Sequence, residues 1–238
     1  MILAFVDEMG DAKFKDYFGL CCALINSNFY RKIKQNFQKI LISEGWNPSI
    51  EFKGACLFSA TSGDTSIPVE KRIAITSKIL SLNTSDQNAR MKFAYVKKTS
   101  TDTRRDYLGY LPRLLEKALP RAKKGSGKDI LSLHCDFRKD ITAREIYEAV
   151  NPVVAKRGYT LFEDIVVSVS SFHTVGILYA DLVGYLCARV DTISKDSELF
   201  ENIPPDQWDS NGKIRKWKSS TKLLESIKKF DQYEVSVK

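Results

Sequence analysis

The sequence predicts one α/β domain built on a mixed sheet flanked by helices, and three observations carry that expectation. Strand-like and helix-like segments alternate from start to end, which is the signature of α/β layering. The first two apolar runs sit close together as a hairpin, whereas the later strands are each followed by a helix, so antiparallel pairing comes first and parallel pairing afterwards. No low-complexity linker or internal repeat divides the chain.

The elements follow in order. Ile2 to Glu8 reads as the first strand, with a polar turn around Gly10-Asp11-Ala12-Lys13 and a second strand from Tyr17 to Ile25. Asn26-Ser27-Asn28 supplies a cap for a helix to about Ser43, in which Phe29, Ile33, Phe37, Ile40 and Leu41 recur at helical spacing. Ile50 to Leu57 looks extended. Pro68 opens a helix to Leu82, Met91 to Val96 reads as a strand, and Arg104 to Leu119 as a helix. The short apolar run Ile130 to Cys135 is a strand, and Thr142 to Lys156 a helix with Ile146, Tyr147, Val150, Val153 and Val154 along one side. Ile165 to Val169 is a β-branched strand, followed by an apolar helix from Val175 to Val190. Beyond Pro204-Pro205, residues Lys213 to Phe230 form a basic amphipathic pattern with Ile214, Trp217, Leu224 and Ile227 on one side. Residues 1–200 are thus expected to form the domain, and 201–238 a basic extension packed on it.

Composition narrows the function. At 43% hydrophobic and 28% charged residues, the 238-residue chain has the balance of a globular protein. The start, Met1 to Glu8, has neither the basic residues nor the apolar length of a signal peptide, so a cytoplasmic protein is expected. The longest apolar stretch carries Asp181 near its middle and falls short of the roughly 20 residues that cross a bilayer, so no membrane partner is expected. Cys21, Cys22, Cys56, Cys135 and Cys187 form no CxxC pair and are expected as buried thiols. With no such pair and only two histidines, a Cys/His zinc site is not expected, and any metal is expected to be a hard cation on oxygen ligands.

Charge is unevenly placed. The net value is +8, but residues 97–128 contribute +7 and residues 213–229 contribute +6, which leaves the rest of the chain at −5. Concentrated basic segments beside an acidic body suit a polyanionic partner, and solvated lysine faces give similar counts.

Asp181 interrupts the apolar helix, and a buried carboxylate must pair, bind a metal or reach an opening. Asp136 follows its strand at the carboxyl end, where ligands bind in parallel sheets; a cap or a solvated loop acid is the plain alternative. Asp7 shares a strand face with Leu3 and Phe5, whereas Glu8 points the other way, as a supporting group or a turn acid. Three such carboxylates suit magnesium or manganese, which take oxygen ligands and steady the attacking and leaving oxygens of a phosphodiester.

At these residues the chain resembles a known family. Phe5-Val6-Asp7-Glu8-Met9-Gly10, the strand Tyr17 to Ile25, Ile50-Glu51-Phe52-Lys53-Gly54, the strand ending at Asp136 and Tyr179-Ala180-Asp181-Leu182-Val183-Gly184 are similar, in this order, to the family catalogued as domain of unknown function 3800. The resemblance implies an RNase H-like fold and a divalent-metal-dependent nuclease. It assigns Asp7, Asp136 and Asp181 as ligands of Mg2+ or Mn2+, with Glu8 and Glu51 as weaker candidates. Met9 and Leu178 depart from the serine and glutamine common in that family.

Weaker signals remain. Glu51-Phe52-Lys53 forms an ExK triplet in which the acid joins a metal cluster and the lysine steadies a phosphate, or the two make a surface ion pair. Gly125-Ser126-Gly127-Lys128 lacks the upstream glycine and the strand-first context of a phosphate-binding loop, so nucleotide binding is not expected there. His173 precedes the Asp181 helix as a proton relay, a phosphate contact or a structural residue, and His134 is expected on the sheet. Trp208 and Trp217 are candidates for base stacking, Trp217 more naturally for the core. The function expected is a nuclease acting on DNA or RNA; a non-catalytic nucleic-acid-binding module and a regulatory interaction protein are the rivals.

Overall fold

The computed structural model describes residues 1–10, 18–57, 63–82, 92–98, 100–122, 129–200 and Leu223. Among these residues, six strands form one sheet: β1 (Ile2–Gly10), β2 (Phe18–Asn26), β3 (Lys92–Lys98), β4 (Ile130–Asp136), β5 (Thr160–Leu161) and β6 (Val166–Ser168). The order is β3-β2-β1-β4-β5, with β6 pairing β4 beyond β5. β1, β2 and β3 are antiparallel neighbours, while β4 runs parallel to β1, β5 and β6. The expected mixed sheet with an antiparallel start and parallel continuation is therefore present.

Helices cover it on both sides: α1 (Ser27–Ser43), α2 (Val69–Ser81), α3 (Thr103–Ala118), α4 (Ala143–Lys156) and α5 (Val175–Phe200). Their starts are fixed by local chemistry. Asn26 accepts a hydrogen bond from the Asn28 amide, Asp102 from Arg105, and Thr142 with Glu145 closes a reciprocal capping box at α4. These contacts satisfy amides that a helix leaves without partners in its first turn.

Strand parity divides the interior into two cores. Leu3, Phe5, Met9, Cys21, Ala23 and Ile25 pack toward α1, α2 and α5. Ala4, Val6, Leu20, Cys22, Leu131, Leu133 and Cys135 pack toward α3 and α4. Each fully buried Leu, Ile, Val or Phe contributes about 1.5–3 kcal/mol, so a one-residue slip of β1 would forfeit both layers. Every described helix fails the length and apolarity needed to cross a membrane.

Two expectations are corrected, and one short strand was not foreseen. Ile50 to Leu57 is no strand: Glu51–Lys53 is irregular and a single 3-10 turn spans Gly54–Cys56. The apolar alternation there is real, since Phe52 and Leu57 are buried, but it serves a loop wedged under α5 instead of a sheet edge. The two-residue strand β5 lies in a stretch too short to show periodicity. α5 continues past Val190 to Phe200. Among the cysteines, all free, four are buried as expected and Cys56 is half-buried.

The turn at 11–13, the loop 125–128, Trp208, Trp217 and the amphipathic segment 213–230 lie outside the described residues, apart from Leu223. That residue is helical and buried in the α5-side core.

Candidate metal centre

Asp7 is placed by the sheet. Its parity matches Phe5 and Met9, so the carboxylate enters the side of the sheet covered by α5, and only 9% of the residue is exposed. β4 lies beside β1 with Phe5 opposite His134 and Val6 opposite Cys135. Asp136 is the next residue, so it stands beside Asp7 on the same face, with about 4.8 Å between adjacent strands. The Ser170 hydroxyl donates to Asp136 Oδ1 at 2.9 Å.

α5 supplies the third acid through two close approaches that only glycine permits. A Cβ on Gly176 would sit 2.3 Å from the Phe5 ring, and one on Gly184 would sit 2.9 Å from Cys21, the residue paired with Asp7. The helix is thereby pressed along β1 from Phe5 toward Met9. Asp181 lies five residues past Gly176, about 7.5 Å along the helix. Asp7 lies two residues past Phe5, about 6.6 Å along the strand. The two carboxylates therefore reach the same level from opposite layers.

Their electrostatics agree with this placement. Burial raises the Asp7 carboxyl well above the usual carboxylate range, and the charges of Asp181 and Asp136 push it further; the Glu8 amide, donating to Oδ1 at 2.7 Å, works in the other direction. Burial also pushes Asp181 up to about 6, against the lowering effects of the Gly54 amide and Lys53, with Glu51 and Asp136 adding to the rise. Three acids that share one field and repel are costly in the absence of a cation.

Glu51 and Lys53 arrive by a different route from the one expected. They are not strand neighbours on a shared face; the loop folds so that Lys53 Nζ pairs with Glu51 Oε2 at 3.0 Å. The same loop delivers the Gly54 amide to Asp181 Oδ2 at 2.6 Å, and Gly54 is pinned because a Cβ would fall 2.5 Å from that of Tyr185. Burial opposes the charge of Lys53, but the bond to Glu51 and the charges of Glu51, Asp181 and Asp136 outweigh it and raise its pKa. The loop is held from behind by buried Arg72, which donates to the carbonyls of Cys56, Asp64 and Ile67.

Glu8 is not brought into this group. It points to the opposite face, where Arg138 Nη1 meets Glu8 Oε1 at 2.6 Å and the guanidinium stacks over Tyr107 and Phe18. His134 is on the sheet as expected, half-buried, with Nε2 at 2.9 Å from Ser132 Oγ. His173 is exposed at the foot of α5, its amide donating to Ser171 Oγ. The Ser170 hydroxyl and the Gly54 amide are contacts the sequence did not single out; Gly54 directly after the ExK triplet was the one available hint.

The donor chemistry fits a hard cation: carboxylate oxygens alone, with burial and mutual repulsion that a divalent ion would relieve. The side chains as they stand are not drawn into a ligand shell, for among the described residues no group of three or more His, Cys, Asp or Glu is arranged to hold a metal ion.

No family model matches the chain, and no curated protein matches it. The resemblance drawn from the motifs therefore rests on those residues. Among solved structures, the chain is similar to ribonuclease H2 from Pyrococcus horikoshii OT3, with a TM-score of 0.45 and 13% identity over 96% of this chain and 100% of that one. It is also similar to RNase HII in its PCNA complex from Archaeoglobus fulgidus, with a TM-score of 0.44 and 9% identity over 100% of this chain and 98% of that one.

Proposed function

We propose that the chain is a divalent-metal-dependent nuclease, a hydrolase of DNA or RNA phosphodiesters, of the family catalogued as domain of unknown function 3800. The observation that supports this reading is electrostatic: the charges of Asp181 and Asp136 raise the carboxyl of Asp7, and that of Asp136 raises Asp181.

Asp7, Asp136 and Asp181 would hold Mg2+ or Mn2+. Bound there, the ion supplies Lewis-acid stabilisation to the oxygens that carry charge during phosphodiester hydrolysis. The protein's own contribution is positional. The Gly54 amide fixes the Asp181 carboxylate, Ser170 fixes Asp136, and the Glu8 amide fixes Asp7. Lys53, with 48% of its side chain exposed and its charge directed at the same acids, is available to a phosphate oxygen, with Glu51 orienting its ammonium group. The basic residues of 97–122 hold the polyanion through contacts that weaken with salt.

The test is cleavage of single- and double-stranded DNA and RNA with Mg2+, Mn2+ or a chelator. Metal-dependent cleavage by the wild type, lost in Asp136→Asn and Asp181→Asn variants that stay folded and melt no lower than the wild type, is the expected result. Retained cleavage in both variants removes the proposed site. Salt-sensitive binding with no cleavage under any metal identifies a non-catalytic binding module instead.

A further inference from the structure

Beside the carboxylates, on the same face of the sheet, lies a cleft of about 320 Å³ whose floor is Leu3 and Phe5 of β1 with Ser132 and His134 of β4. It belongs to neither the acidic cluster nor the loop around Lys53. Its walls come from Tyr30 of α1, from the start of α5 and from Ser168 and Phe162. The Phe5 ring lies near-parallel to that of Tyr30, with centroids 5.4 Å and planes 20° apart, and to that of His134, at 4.9 Å and 27°. At the mouth stands Phe162, 51% exposed, with its backbone fixed by a hydrogen bond from its amide to the Leu131 carbonyl at 2.7 Å. The ring is thus exposed beside the cleft and free to meet a ligand that enters it.

The lining selects a ligand. Its lining includes no Lys, Arg, Asp or Glu side chain, Met1 bringing an α-amino group, so no charged side chain is set there to hold a phosphate or a carboxylate. Flat rings offer stacking, and the Ser132, Ser168 and Thr174 hydroxyls with the two imidazoles offer hydrogen bonds in the ring plane. Its volume lies at the low end of small-molecule pockets, suited to a single ring system with a sugar. Continuity with the acids gives the ligand its place: Phe5 and His134 precede Asp7 and Asp136 by two residues, about 6.6 Å along their strands. Ser168, on the rim, is the β6 neighbour of Asp136.

We infer that this cleft takes one uncharged nucleobase, that of the nucleotide whose phosphate reaches Asp7, Asp136 and Asp181, so that the substrate presents an unpaired nucleotide. A base still paired within a duplex cannot enter a cleft of this kind without leaving its stack. The inference rests on the nuclease reading of the neighbouring carboxylates, and its test separates the two.

The full chain is titrated with 2-aminopurine ribonucleoside, which carries no phosphate, in the presence of a chelator. Saturable quenching of the base fluorescence is expected. Phe162→Ala, an exposed position whose variant is checked by thermal melting, should weaken it by about fivefold to about a hundredfold, the span that loss of one base-aromatic stack allows. In parallel, a short single strand, the same strand with one abasic nucleotide and the matching duplex are incubated with Mn2+. Slower cutting beside the abasic position and in the duplex than in the intact strand supports the base of a bound strand as the ligand. No nucleoside binding at millimolar concentration, with abasic, intact and duplex substrates cut alike, overturns the cleft and leaves the nuclease. Nucleoside binding without cleavage of any substrate overturns the placement on a strand along with the nuclease, and makes a free nucleoside the ligand.

Discussion

Asp7 and Glu8 are neighbours on β1, yet one enters the α5 side of the sheet and the other the α3 side, and their surroundings differ in kind. Burial raises the pKa of both carboxyls. For Glu8 the next largest influence is the Arg138 guanidinium, which lowers it through charge and a hydrogen bond. For Asp7 the next influences are two more carboxylates, which raise it further. A protein that needed only a folded strand end would supply a counter-ion in both cases. Supplying one for Glu8 and assembling like charges around Asp7 is how perturbed groups accumulate at sites that bind or react.

The largest effect that sharpens this contrast is on cleavage. Asp136→Asn or Asp7→Asn should reduce metal-dependent cleavage by at least about a hundredfold, the scale on which loss of one charge-stabilising group is felt. Glu8→Gln should leave it within about threefold of wild type, because it alters the opposite face; gel assays of matched, folded variants decide this.

Metal binding should appear as stability before any reaction is measured. At about 100 times its dissociation constant, an ion binding only the folded chain adds about 2.7 kcal/mol. Thermal melts with and without Mn2+ should show an upward shift in the wild type that Asp7→Asn abolishes and Glu8→Gln retains.

Acidity gives the contrast a sign. A carboxyl whose folded pKa lies above its unfolded value of 3.8 binds its proton more tightly when folded. Its contribution is therefore complete below about pH 4 and is lost as pH rises through about 6. Chelated wild type should lose stability across that window, by about 3 kcal/mol for Asp181, since each tenfold change in proton affinity corresponds to about 1.4 kcal/mol. Asp181→Asn keeps an acceptor for the Gly54 amide and removes the charge, so it should flatten the slope and raise the melting temperature at pH 7. Denaturant titrations from pH 4 to 7.5 measure both.

Smaller effects separate paired from unpaired polar groups. Glu8→Gln should cost about 1–2 kcal/mol, since it weakens a partly buried charged hydrogen bond while Arg138 keeps its bond to Asp140. The Tyr179 hydroxyl is fully buried without a partner among the described residues, and burial raises its pKa. Tyr179→Phe should be neutral or stabilising by up to about 1 kcal/mol. Urea midpoints distinguish the two signs.

Much of this architecture was legible beforehand because local chemistry and global packing agree. The strand parity that separates Asp7 from Glu8, the cap at Asn26, the helix over the Ile146 and Val150 face and the half-buried place of Asp181 all follow from side-chain period and polarity. What failed is equally physical. Glu51-Phe52-Lys53 alternates like a strand, but the alternation seats Phe52 in the core while Gly54 bends the chain against Tyr185. Sequence cannot distinguish an edge strand from a loop with one buried side, because hydrogen-bond partners do not leave a pattern in the side chains. The cleft near Phe5 and His134 was invisible for a related reason: its rings come from separate parts of the chain, and Phe5, Tyr30 and His134 each read alone as ordinary core or sheet residues.

The central claim is that three distant carboxylates form one cation site. It is tested most directly by anomalous diffraction from crystals soaked in Mn2+, with data collected at the manganese edge. The account predicts a peak coordinated by oxygens of Asp7, Asp136 and Asp181 at about 2.0–2.2 Å, absent from crystals of Asp181→Asn. Wild-type crystals with no peak among these side chains, from a protein that still cleaves nucleic acid with manganese, would contradict it.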